Sequence, residues 1–281
     1  MKTIAVLTDD SKGAEHATRF ALHMAKKMKA SILLFSLCNV PAAKQVVLAG
    51  DQGPDPEDEP ALDNFARRMH QYLVTSSFPG AYLPQIAVDG ENTELVDVMT
   101  AISRHEDIVM VVTAPAPDND LAGYVLSDAC SRIIDWARVP VLVVPETAPL
   151  RNFEKIAFAS KLHEEDIHSI AELGSLLTNF AAELMVAHLN TDPSNNDVRA
   201  AEARLNRELY QKLDCGGVYF RSIPDVDRQK NWAWLKANKR TDLLAVVQQP
   251  REQMTQFFTR GKNEEATYHL TLPVMILPKR P

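Results

Sequence analysis

No stretch of this 281-residue chain approaches the ~20 consecutive apolar residues of a membrane-spanning helix, so no such helix is expected. Positive charge is short as well. With 30 Lys and Arg against 37 Asp and Glu, the net charge is −7, which argues against nucleic acid and anionic membrane as partners, since both need a basic surface. Cysteine is rare: Cys38, Cys130 and Cys215 form no C-x-x-C pair and cannot all pair within the chain, so reduced, packed thiols are expected. The opening residues, MKTIAVLTDDS, carry an apolar run of only four residues shortly before two aspartates. They lack the apolar core of a secretion signal, and the expected location is cytoplasmic. There is no G-x-S-x-G, which removes the hydrolase nucleophile elbow. Gly261-Lys262 lacks the first glycine and the final Ser or Thr of a phosphate loop. No catalytic constellation is left, and a non-catalytic protein is expected.

What is present is an ordinary globular composition, 46% hydrophobic and 24% charged. The length suits two domains of about 100–150 residues. The chain also echoes itself. Residues 4–11, IAVLTDDS, match 156–163, IAFASKLH, and 32–37, ILLFSL, match 184–189, LMVAHL, both 152 residues apart. Asp107-Ile-Val-Met-Val-Val matches Asp242-Leu-Leu-Ala-Val-Val at 135, and PVLVVP at 140–145 matches PVMILP at 273–278 at 133. A single insertion explains the drop, and the Pro-, Gly- and acid-rich stretch 41–60 has the composition of an exposed loop.

Each half alternates short, continuous Val/Ile/Leu runs with amphipathic segments. Strands are predicted near 2–8, 31–38, 82–88, 107–113 and 140–145, and again near 154–160, 183–189, 217–222, 242–248 and 273–277. Helices are predicted near 12–29, 60–75, 92–104 and 123–138, then near 163–181, 194–213, 225–239 and 252–269. Strand–helix alternation with right-handed crossovers gives an α/β fold: two repeated, doubly wound, five-stranded parallel-sheet domains, 1–147 and 152–281, joined by 146–151.

Five strands, four helices, an opening V-L-T-D-x-S and a closing helix that runs into P-V-L-V-V-P, with the elements in the same order in both halves, resemble the universal stress protein family in its tandem form, over essentially the whole chain. The resemblance implies the adenine nucleotide alpha hydrolase-like fold and a role in stress response. It also implies an intramolecular pseudo-dimer in which 140–145 lies against 273–277, with a homodimer as the alternative assembly and a protein or small molecule as the partner.

ATP-binding members carry an Asp after strand 1 and G-x2-G-x9-G-[ST] after strand 4. The glycines admit phosphate oxygens to backbone N–H groups, and the helix N-terminus adds positive potential. In the first half Asp9 and Ser11 fall on D-x-S, but the glycine positions fall on Ala114, Pro117 and Ser127 and the hydroxyl position on Asp128. In the second half Lys161 replaces the Asp, and Val247, Pro250, Arg260 and Gly261 occupy the loop positions. The ATP-binding motif therefore reads as degenerate in both halves, and no resident cofactor is expected. Asp9, Ser11, Thr113 and Ser127 remain candidate contacts for ATP or AMP in the first half. Lys161, Arg251 and Arg260 form a candidate anion-binding mouth in the second.

The run His163-Glu-Glu-Asp-Ile-His168 places its imidazoles about 140° apart on a helix, unlike the i,i+4 pair of a zinc site, so it reads as an acidic helix start. Trp232 and Trp234 read as packing residues.

Overall fold

The computed structural model describes residues 1–37, 61–90, 94–118, 123–125, 128–190, 192–212, 217–224, 241–250 and 272–279. The loop 41–60, the expected helices near 225–239 and 252–269, Cys38, Cys215, Trp232 and Trp234 lie outside them.

The apolar runs form strands buried from both sides. β1 (Thr3–Thr8), β2 (Ser31–Ser36), β3 (Ile86–Asp89), β4 (Ile108–Thr113) and β7 (Val141–Val143) come from the first half. Their counterparts are β8 (Lys155–Ser160), β9 (Glu183–Asn190), β10 (Val218–Pro224), β11 (Leu243–Val247) and β12 (Val274–Leu277). Every residue of β1 is buried. β3 starts later than expected because Pro84 has no N–H for a ladder; pairing begins where Ile32 donates to the Gln85 carbonyl, at 2.8 Å.

Ten strands make one sheet in the order β10-β9-β8-β11-β12-β7-β4-β1-β2-β3. Outward from its middle the chain order is the same on both sides. All neighbours are parallel except β12 and β7, whose ladder pairs Val274 with Val143, Met275 with Leu142 and Ile276 with Val141. The Asp107/Asp242 echo has a structural cause. Asp107 accepts the Thr3 hydroxyl at 2.5 Å, and Asp242 accepts the N–H groups of Glu154 and Lys155 at 2.9 and 3.0 Å. Each aspartate anchors the amino end of the next strand over.

Helices α1 (Lys12–Met28), α2 (Ala61–Thr75), α5 (Asp166–Leu177) and α6 (Asn196–Lys212) cover one face of the sheet. α3 (Leu95–Arg104) and α4 (Asp128–Trp136) cover the other. Strand residues sort by parity: Ile4, Val6, Ile156 and Phe158 join the first core, and Ala5, Leu7, Ala157 and Ala159 the second. Burial pushes the Cys130 thiol in α4 up to about 12, so it packs as an inert small hydrophobe.

The helix expected near 123–138 is shorter than its pattern suggests. Residues 116–118 and 123–125 pair as a small antiparallel ribbon, β5 (Ala116–Asp118) with β6 (Gly123–Val125), and the helix begins only at Asp128. Tyr124 and Val125 favour extended backbone, and an acidic residue suits a helix start.

Residues 146–153 pack along α1. His16 and His23, two turns apart, donate from Nε2 to the Ala148 carbonyl (2.8 Å) and to Asn152 Oδ1 (2.9 Å). Between them Phe20 meets Phe153, with ring centroids 5.7 Å apart. Phe153 meets Phe180, in the single 3₁₀ turn after α5, at 5.2 Å. The segment is a packed seam.

Candidate functional site

Open α/β sheets bind ligands at the carboxyl ends of their strands. In the first half that rim is set by a tight turn between β1 and α1. The Thr8 hydroxyl accepts the Asp10 N–H at 3.1 Å, and Asp10 adopts a left-handed φ of 59°. Asp9 is exposed, and its Oδ1 accepts the Ser11 N–H at 3.1 Å. Ser11 caps α1, its Oγ accepting the Ala14 N–H at 3.1 Å. Asp10 is ion-paired with Arg68 of α2. Thr113 ends β4, the strand beside β1, and is 4% exposed. Just beyond it, the Ala114 methyl stands 3.6 Å from where a Cβ on Gly13 would lie. The first turn of α1 and the chain leaving β4 are therefore in close contact.

The second half repeats the turn 152 residues later. The Ser160 hydroxyl accepts the Leu162 N–H at 3.0 Å, and Leu162 has φ 63°. Ser160 Oγ donates to Asp166 Oδ2 at 2.5 Å. Burial holds the Asp166 carboxyl above the usual carboxylate range, against the downward pull of Ser160, His163 and the Lys161 N–H. His188 of β9 donates Nδ1–H to the Ser160 carbonyl at 3.1 Å. Serine, histidine and aspartate thus meet without a nucleophilic wiring, because the hydroxyl proton points at the carboxylate and the imidazole at a carbonyl. Further along the rim, Glu202 Oε1 accepts from Ser222 at 2.6 Å and Asn190 at 3.1 Å.

The structure thus joins Asp9 and Ser11 in one turn and sets Thr113 on the neighbouring strand. Lys161 occupies the matching turn of the second half and is exposed. Ser127, Arg251 and Arg260 lie outside the described residues. Sequence reasoning missed Arg68, Ser160, Asp166 and His188; a hydroxyl closing the strand at both 8 and 160 was the available signal. Among the described residues no three His, Cys, Asp or Glu side chains are placed to hold a metal ion. No helix among them is long and apolar enough to cross a membrane.

A model of the Universal stress protein family matches residues 1–145. A universal stress protein from Archaeoglobus fulgidus DSM 4304 is similar over 98% of this chain and 98% of its own, at 12% identity and a TM-score of 0.62. A functionally unknown protein from Pseudomonas aeruginosa PAO1 is similar over 99% of this chain and 92% of its own, at 14% identity and a TM-score of 0.58. The cytoplasmic domain of a prokaryotic cation chloride cotransporter is similar over 99% and 95%, at 14% identity and a TM-score of 0.55. At these identities the likeness is one of fold. No curated protein gives a significant match.

Proposed function

The chain belongs to the universal stress protein family, and from that membership we propose a tandem member that acts in stress response without catalysis. Its domains are 1–147 and 152–281, paired within one chain, each carrying a degenerate form of the family's nucleotide loop. It works by binding a protein or a small ligand. The observation that carries this reading is the contact of Ala114 with the first turn of α1. A methyl stands where a glycine would let phosphate oxygens reach backbone N–H groups. The Asp9 carboxylate already holds the Ser11 N–H, and Asp10 holds Arg68.

Calorimetric titration of the full chain with Mg-ATP and with AMP tests it. No saturable heat is the expected outcome. Saturable binding that disappears in Asp9→Ala overturns the reading in favour of a nucleotide sensor in the first domain, a role the exposure of Asp9 at the rim would suit. An anion sensor built on Lys161, Arg251 and Arg260 is the other alternative. Stabilisation by inorganic phosphate that is lost in Arg260→Glu would favour it.

A further inference from the structure

The second half contains a half-open cavity of about 350 Å³, away from the strand ends described above. It lies under the carboxyl-terminal half of α5, against the amino ends of β8, β9 and β10. Ile156, Ile170, Leu173, Leu177, Leu184 and Val218 form its apolar wall. This size falls within the ~300–1,000 Å³ range of small-ligand pockets, as does a mostly apolar lining with few polar groups.

The first half explains why the space is there. Lys29, which caps α1, and Ala181, which caps the 3₁₀ turn after α5, are both left-handed (φ 53° and 52°) and lie 152 residues apart, so Gly174 corresponds to Leu22 and Ala171 to Arg19. Leu22 is fully buried, and Arg19 stacks on Tyr72, 4.8 Å from its ring centroid. In α5 the isobutyl group and the stacked guanidinium are both gone. Gly174 sits inside a helix, where glycine is unfavourable relative to alanine. Nothing in the backbone requires it: its φ is not left-handed, and an added Cβ would meet no atom within 4 Å. Its absent side chain opens the cavity.

A threonine at the mouth selects the head group. Glu183 also borders the opening, but strand alternation places its side chain with Met185 on the other face of the sheet, where Lys155 lies 4.0 Å away. Thr178 donates its hydroxyl proton to the Gly174 carbonyl at 2.8 Å, leaving an acceptor oxygen there. The Thr178 hydroxyl at the opening therefore presents an acceptor. A hydroxyl donor is matched there, and an ionised carboxylate, which has no proton to give and is costly to desolvate against an apolar wall, is not. We propose that this cavity binds a neutral amphiphile, a medium-length unbranched aliphatic chain ending in a hydroxyl group.

The test is calorimetric titration of the full chain with hexan-1-ol, octan-1-ol, decan-1-ol and decanoate. Affinity should rise about fourfold per methylene as apolar surface is buried, and decanoate should bind at least about tenfold more weakly than decan-1-ol. Gly174→Leu should abolish binding while keeping the helical circular dichroism and raising the melting temperature. Ala171→Leu, at an exposed position, should weaken binding by narrowing the mouth. Affinity independent of chain length, decanoate binding as tight as decan-1-ol, or Gly174→Leu binding like the unaltered chain would each overturn the proposal. None of these outcomes bears on the ATP titration, which probes the other half.

Discussion

At Asp166 a carboxyl group is held in surroundings that favour its neutral form. Its folded-state value is raised, so the unfolded chain releases this proton first as pH rises. The contribution of this group to stability is thus full below about pH 4 and is lost as pH climbs through the raised folded value. Asp166→Asn keeps an acceptor for the Ser160 hydroxyl and removes the charge. The variant should show a flatter dependence of urea midpoint on pH between 4 and 7, and should be at least as stable as the unaltered chain at pH 7. An unchanged slope would mean that Asp166 ionises in the folded chain as easily as in water. The turn beside it shows where sequence reading stops. Nothing about Leu162 announces a left-handed backbone, because that region is disfavoured for a branched, bulky residue. It became visible only once the Ser160 hydroxyl was seen to hold its N–H.

The seam of α1 with residues 146–153 sets two further expectations at the level of elements. Phe153 is 3% exposed and sits between Phe20 and Phe180. Phe153→Ala should destabilise the chain by about 3–5 kcal/mol, the usual range for a buried aromatic, read from denaturant unfolding. A loss under ~1 kcal/mol would mean the seam closes around the gap. The histidines add a pH term. Burial pushes His16 and His23 below the usual histidine value, against raising effects of Ala148 and Glu146 on His16 and of Asn152 on His23. Arg19 acts with burial at His16, and Lys26 and Lys27 at His23. Both imidazoles are therefore neutral in the folded chain at pH 7. Their contribution is complete above about pH 6.5 and lost as pH falls through the lowered folded values. Combining His16→Gln with His23→Gln should remove that acid-side slope in unfolding free energy against pH.

Elements differed in how legible they were. Long uninterrupted strands followed from period and composition. The β5–β6 ribbon did not, since three-residue strands are too short to carry a period. The cavity was hidden for another reason. A single glycine in a helical pattern reads as a tolerated flaw until the matching helix shows leucine in its place.

Over the whole molecule, the β7–β12 ladder makes ten strands one sheet and covers two edges that would otherwise stand open. A fragment of residues 1–147 would expose β7 along that edge. It should self-associate with concentration in sedimentation velocity runs under conditions where the full chain does not. A fragment monomeric at every concentration would show that the edge is protected by other means. A doubly wound parallel sheet was legible from the repeated run of strands and helices, but not the order of its strands. The close contact at Ala114 and Gly13 was not, because it joins residues 101 positions apart whose side chains are the smallest available.

That one antiparallel pairing also fixes a polarity. Since every other ladder is parallel, all strands of the first half run one way across the sheet and all those of the second run the other. The turns at Asp9 and at Lys161 consequently open toward opposite margins. No single small molecule reaches both, and a partner seated on one leaves the other bare. The margin that carries Asp9 is shared instead with the amino ends of β8, β9 and β10, where the apolar cavity lies. Two unlike sites, one polar and one oily, thus look out from the same side of the protein, while the mouth at Lys161 looks out from its back.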